Sequence, residues 1–439
     1  MAANNTLEVL FVSNTNDNQL SCSAWDFRTG TNLMNYKGGG GGAALHTLSV
    51  LRSEYIVAGN QTKPLLHVWP INAQEQMTAI RFVVPGTVTA LALSPDGSYM
   101  VAGIQETLYV WHVLTGRMMN TLSKHYQTVT CVKFTSDGSH FVSCGKDGAV
   151  LVWNLTRVVA HEENLAPLYT FNDHGLPVTD VYVGTGGMRG YMFTVSLDRS
   201  CKIYDLNSGT LLLSVVFAEG LQSVTVNALE TQVFVGTNSG SIFDFFINDV
   251  PRVKEYHFEE APKQFIGHTK PSVVNCLALS ADGKTLVSGA SDSQVLVWNI
   301  SSRQLLKTLT FKGAITNLHL KLTNPAIFNP EHKQPLVFSA SLKRMIDPEG
   351  AEEMPIEVMV DSNTFDDECD YNTTRQLSQA SPSAYPLTSS GVLTTTTDTK
   401  SEDKEELKAL RQEIDRLRHI NKKLFEVSSK QLLRAQKRK

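Results

Sequence analysis

Apolar and polar residues alternate with a period of two through most of the first three quarters of the chain. In TVTALALSPDGSYMVAGIQETLYVWHVLTGRMMNTL (Thr87–Leu122) a strand-like run leads to a DG turn and a second run. A further turn, a third run ending on Trp111 and a short fourth run follow. Thr128–Leu155 and Val273–Leu309 repeat this order, with DG again at Asp137-Gly138 and Asp282-Gly283 as at Asp96-Gly97. Such alternation between turns marks half-buried strands. The DG pairs suit tight turns, because glycine tolerates positive φ and aspartate bonds the local backbone.

The aromatic of each third run acts as a ruler. It falls at Trp25, Trp69, Trp111, Trp153, Tyr204, Phe245 and Trp298, at spacings of 44, 42, 42, 51, 41 and 53 residues. A period of about 40–45 residues with four strands and a W-D-like ending is the signature of a WD40 propeller, and seven anchors predict seven blades. The two long spacings predict insertions near Arg157–Asp173 and Asn248–Phe265. The first runs, LEVLFVSN, LSCSAWDF and NLMNYKG, supply only three of a blade's four strands. ITNLHLKL (Ile315–Leu322) is predicted to supply the missing innermost strand, closing the ring and hiding both edges. PLVFSASLKRM (Pro335–Met345) has the pattern of a strand with no evident place.

Three blades also carry His, Ser/Thr, Asp and an aromatic at matching spacing. These are His125-Ser143-Asp147-Trp153, His174-Thr194-Asp198-Tyr204 and His268-Ser288-Asp292-Trp298. A Ser/His/Asp grouping suggests a hydrolase, but an active site is needed once, whereas a clamp is needed in every blade. Catalysis would also require an exposed nucleophile and an oxyanion hole. The groups are therefore read as hydrogen-bonded blade clamps.

Little else suggests chemistry. GGGGG (Gly38–Gly42) lacks the GK[ST] of a phosphate loop and reads as a flexible connector between blades. GTGGMRG (Gly184–Gly190) lies between two strands, with no helix to receive a pyrophosphate, and reads as a hairpin loop. The histidines lack paired-ligand spacing and the six cysteines lack a CxxC pair, so neither a metal nor a cofactor is expected; buried free thiols in a reducing compartment are. The formal net charge of −4 gives no reason to expect broad nucleic-acid binding, and no basic stripe with interleaved aromatics suggests RNA readout; direct RNA contact stays open. No run approaches a membrane span, and MAANNTLEVLFVSN lacks the features of a signal peptide. A non-enzymatic binding platform is the expected class.

Charge is uneven beyond the repeats. Met345–Asp403 holds 13 acidic and two basic residues, whereas Lys422–Lys439 holds seven basic and one acidic. The acidic stretch, then QLSQASPSAYPLTSSGVLTTTTDTKSED, predicts a disordered tether, within which MPIEVMV (Met354–Val360) could dock on the propeller or on a partner. In the last segment Leu407, Leu410, Ile414, Leu417, Asn421 and Leu424 fall at a and d of about three heptads. Glu406 and Glu413 at g face Arg411 and Arg418 at e in a parallel pair, and Asn421 at a favours two strands in register. The alternative is an amphipathic helix packed on the propeller or on another protein. The predicted organisation is an all-β, seven-bladed WD40 β-propeller over residues 1–346, an acidic, Ser/Thr-rich linker over 347–401 and a short coiled-coil helix over 402–435.

LSKHYQTVTCVKF (Leu122–Phe134), NSGTLLLSVVF (Asn207–Phe217), NSGSIF (Asn238–Phe243), FIGHTKPSVVNCLALSADG (Phe265–Gly283) and LRHINKKLFEVS (Leu417–Ser428) resemble the WD repeat-containing protein 18 family, which includes the fungal WD-repeat subunit for internal transcribed spacer 2 processing. The resemblance implies a scaffold subunit in the nucleolus and nucleoplasm, possible also in the cytoplasm, acting in spacer 2 rRNA maturation. Its implied partners are helical-repeat scaffold proteins, precursors of the large ribosomal subunit and the AAA ATPase midasin, with dimerisation through the coiled coil. A generic WD40 adaptor, such as a ubiquitin-ligase substrate receptor, is the alternative. Two anchors depart from the usual pattern: Trp69 precedes Pro70, and Phe245 lies in FDFFIND. The rims of those two blades are candidate partner sites.

Overall fold

The computed structural model describes residues 7–328, apart from 16–19, 39, 53, 79, 81, 161–164, 252–253 and 259–263, together with Leu342. The seven predicted anchors each stand on the third strand of one antiparallel sheet, and the seven sheets form a β-propeller. Blades are numbered 1 to 7 in the order of those anchors. Their innermost strands, Ile315–Thr323, Ser49–Leu51, Val88–Leu93, Val129–Phe134, Val178–Val183, Leu221–Val226 and Val274–Leu279, surround a central channel.

Closure follows the predicted route. Ile315–Thr323 pairs antiparallel with Leu7–Asn14, in a register that sets Leu10 opposite Leu320 and Leu7 opposite Thr323. The late strand thus becomes the innermost of blade 1, and no inner edge is left unpaired there. Glu8 ties this blade to blade 7: its carboxylate accepts from Ser280 Oγ at 2.6 Å and from the Ala281 amide at 2.8 Å.

The core lies between adjacent blades, where β-branched and aromatic residues of facing sheets interdigitate. Trp69, Trp111, Trp153 and Trp298 are all essentially inaccessible to solvent. Blade 6 has Phe in place of the anchoring Trp, and its blade 5 side is filled by Phe217, Phe243, Phe245 and Phe258, with ring centroids 5.0–6.3 Å apart.

Both long spacings are explained. After the third strand of blade 4 a short helix, Leu155–Val159, starts on Asn154, whose side chain accepts from the Arg157 amide; the outer strand Tyr169–Phe171 follows. The second insertion contributes Glu255–His257, which pairs in parallel with the outer strand of blade 5 as a fifth strand. Two expectations need revision. The glycine run is no loose connector at its C-terminal end, because a Cβ on Gly42 would collide with the Asn14 carbonyl oxygen and the Thr15 backbone. From the unplaced run, Leu342 is buried in the cluster between blades 2 and 3, beside residues such as Leu51, Tyr55 and Trp111. Cys22, Cys131, Cys144, Cys201 and Cys276 are buried free thiols, and burial pushes the first two and Cys201 up to about 12. Met354–Val360, the linker, Cys369 and the heptad positions Leu407, Leu410, Ile414, Leu417, Asn421 and Leu424 lie outside the described residues.

Candidate functional site

The clamps rest on the placing of turn and loop residues within each blade. Each clamp aspartate sits in the turn between the second and third strands, and each histidine precedes the innermost strand of the same blade. In blade 4, His125 Nε2 lies 2.8 Å from Ser143 Oγ, and Trp153 Nε1 donates to the same hydroxyl at 3.0 Å. His125 Nδ1 lies 3.1 Å from Asp147 Oδ2, which also accepts from the Tyr126 amide. Blade 7 repeats this with His268, Ser288, Trp298 and Asp292 at 2.8, 2.9 and 3.0 Å. The carboxylate can only accept, so Nδ1–H donates to it, and Nε2 then accepts from the serine hydroxyl, which itself accepts from the indole N–H. This needs a neutral imidazole, and burial holds His125 and His268 below their ordinary value despite the adjacent aspartates. Blade 5 differs in its fourth member. His174 contacts Thr194 at 2.8 Å and Asp198 at 2.9 Å, but the Tyr204 hydroxyl donates to Asp173 Oδ2 at 3.1 Å. Burial raises the Asp198 carboxyl, but hydrogen bonds from His174 and Ser200 outweigh it and hold the group well below the usual range.

Ser143, Thr194 and Ser288 are each 0% exposed. Their hydroxyls are committed to the interior of three separate blades. The arrangement stitches the loop before each blade to its third strand, which is the work of a clamp.

A second hydrogen-bond set joins the innermost strands of neighbouring blades in a ring. Thr89 Oγ1 donates to Val129 O, Thr130 Oγ1 to Val178 O, Thr179 Oγ1 to Leu221 O and Ser223 Oγ to Val274 O, all within 2.7–3.1 Å. Asn275 Nδ2 continues to Ile315 O, and Asn317 Nδ2 to Ala44 O, both at 2.7 Å. Thr89, Thr130, Thr179 and Asn275 sit at a register shift of their strand, where a bulge re-aims the side chain toward the next blade. The recurring Val-Thr or Val-Asn at Val88-Thr89, Val129-Thr130, Val178-Thr179 and Val274-Asn275 is the signal from which sequence reasoning could have found this girdle.

Around the bore, which encloses about 430 Å³, the lining is mixed. Asp180 Oδ1 accepts from the Val181 amide and from Cys131 Sγ, and Oδ2 from the Val224 amide. His46, in a left-handed conformation at φ 54°, brings Nδ1 to 4.0 Å from Asp180 Oδ1. His46, Cys131 and Asp180 hold one ligand atom each within 4.8 Å of the others. Burial above all pushes the Cys131 thiol up to about 12, so any metal held there would have to displace its proton.

Several large apolar side chains are exposed on the outer surface. Tyr126 is 87% exposed at the start of blade 4, close in the chain to the clamp, and Leu176 and Leu197 are exposed at blade 5, where the Leu197 amide reaches the Pro177 carbonyl. At blade 6, Phe246 and Ile266 are exposed on the rim. The two departing anchors therefore differ. Blade 6 presents an apolar rim, whereas Trp69 of blade 2 is buried and its indole donates to Lys37 O of blade 1 at 2.7 Å.

Known families and proteins are similar to this sequence. The family model for the NUP159/214 beta propeller matches residues 114–288, and that for the WD domain, G-beta repeat, matches residues 80–112. WD repeat-containing protein 18 of Mus musculus is 39% identical over 76% of this chain and 77% of its own. The Danio rerio protein of that name is 32% identical over 97% of this chain and 98% of its own. Pre-rRNA-processing protein pro-1 of Caenorhabditis briggsae is 27% identical over 83% of this chain and 69% of its own. The chain belongs to the WD repeat-containing protein 18 family.

Proposed function

We propose that this chain is a non-enzymatic scaffold subunit of a nuclear complex for pre-rRNA processing at internal transcribed spacer 2 and large-subunit maturation. The observation that carries the reading is similarity to WD repeat-containing protein 18 along nearly the whole chain, joined to similarity with a protein named for pre-rRNA processing. The geometry agrees in kind. Its Ser/His/Asp groups are buried clamps, and its exposed apolar residues lie on loops and rims, where propellers meet partners. In this reading the rings bind helical-repeat scaffold proteins, pre-large-subunit particles and the AAA ATPase midasin, and two chains pair through Leu407–Leu424. A tagged full chain purified from nuclear extract is expected to bring down helical-repeat partners and spacer 2-containing RNA. Recovery of a cullin adaptor instead, without pre-ribosomal particles, refutes the proposal.

A further inference from the structure

Farther along the innermost strands the channel lining changes. Residues two apart on a strand share a face, so Cys131 is succeeded by Lys133, Asp180 by Tyr182, Ser223 by Thr225, and Asn317 by His319 and then Lys321. Lys133 stands on blade 4 and His319 on blade 1, and both line the bore; Lys321 follows His319 on the same strand face, beyond the lining. Burial above all holds His319 down to about 4, and both Lys133 and Lys321 add to the effect. Lys133 acts likewise on His46 of blade 2. Its ammonium group therefore lies within electrostatic reach of three blades. Neither lysine has a hydrogen-bond or ion-pair partner among the described residues. The carboxylate of the lining, Asp180, already accepts two backbone amides and a thiol. Lys133 is exposed and Lys321 half-buried, so both ammonium groups can meet an anion that enters the bore.

We propose that the bore is an oxyanion-binding site in which Lys133, His319 and Lys321, with the Thr225 hydroxyl in the same layer, hold a small polyanion of the phosphate or polycarboxylate class. The volume of about 430 Å³ falls within the range of small-molecule sites. Lysine supplies the point charges, and neutral His319 supplies an N–H and a basic nitrogen that protonates as the anion enters. This inference does not rest on the ribosomal reading.

The test is calorimetric titration of full-length protein with inorganic pyrophosphate at low ionic strength. Saturable one-to-one binding is expected, with Kd raised about tenfold or more by Lys133→Met, the size of one lost charge-assisted contact. The exposed control Lys124→Met should leave Kd unchanged. Binding of citrate as well assigns oxyanions generally, and its absence narrows the ligand to phosphates. No saturable heat with either anion, or equal weakening by Lys124→Met, overturns the proposal. A second measurement needs no variant: the His319 imidazole, followed by NMR, should titrate at higher pH with saturating pyrophosphate. An unmoved His319 titration likewise counts against the site.

Discussion

Asn317→Ala should loosen the ring at its seam. Asn317 is 6% exposed and belongs to the strand that closes blade 1. Its Nδ2 donates to Ala44 O at 2.7 Å and to Ser13 Oγ at 2.9 Å, and its Oδ1 accepts from the Thr47 amide at 3.1 Å. One side chain therefore joins the last strand, the first strand and the segment entering blade 2. Each bond contributes about 1 kcal/mol net, and a buried partner left unpaired costs about 1–3 kcal/mol more. Ser13 keeps Thr316 as a partner at 2.8 Å, but the Thr47 amide loses its short bond. The expected loss is about 3 kcal/mol. A chain of this size can unfold irreversibly, so pulse proteolysis in urea is the suitable assay, with fluorescence of the buried tryptophans as a second probe. Thr316→Val removes the bond to Ser13 and the longer one from Asn317, and should cost about 1–2 kcal/mol. A loss below about 0.5 kcal/mol for Asn317→Ala would show that the closure does not depend on this residue.

Ser143→Ala and Ser288→Ala each strand an indole N–H and an imidazole, and should cost about 1–3 kcal/mol by urea unfolding, with no esterase or peptidase activity lost. Activity that disappeared with either serine would contradict the clamp assignment. Burial depresses the imidazoles of His125, His268 and His319, so the unfolded chain takes up protons first as pH falls below about 6.5. Stability should therefore be level at neutral pH, decline from pH about 6.5 toward about 4, and fall further as the carboxylates titrate; an unfolding free energy equal at pH 7.5 and pH 5 would refute this. By light scattering, full-length protein should have twice the monomer mass and a chain ending at Thr399 the monomer mass; equal monomeric masses would rule out pairing through the C-terminal heptads.

Blade number, the seven anchors and the late closing strand were legible because each is written in periodicity, turn residues or strand count. The clamps could be named from spacing, since the turn fixes where the aspartate falls relative to the aromatic. Tyr204 shows the limit. Sequence gives it the place of Trp153 and Trp298, but its phenol hydroxyl, besides meeting Thr194, donates to Asp173, a partner that the spacing does not announce. The girdle around the bore escaped notice because it depends on bulges, which alternation alone does not reveal. Leu342 was similarly opaque: a single apolar side chain far along the chain fills a space between blades 2 and 3 that no local pattern announces. The charges of the bore were hidden for a third reason. Lys133 and Lys321 look like ordinary outward-facing strand residues until the ring closes and brings blades 1 and 4 face to face.

The most direct test of the central claim is the fate of spacer 2-containing pre-rRNA in cells depleted of this protein, read by hybridisation to the spacer. The account predicts accumulation of spacer 2 precursors with loss of mature large-subunit rRNA, restored by the wild-type chain and by Ser143→Ala to the extent that the variant remains folded. Unchanged precursor and mature levels after complete depletion would contradict it.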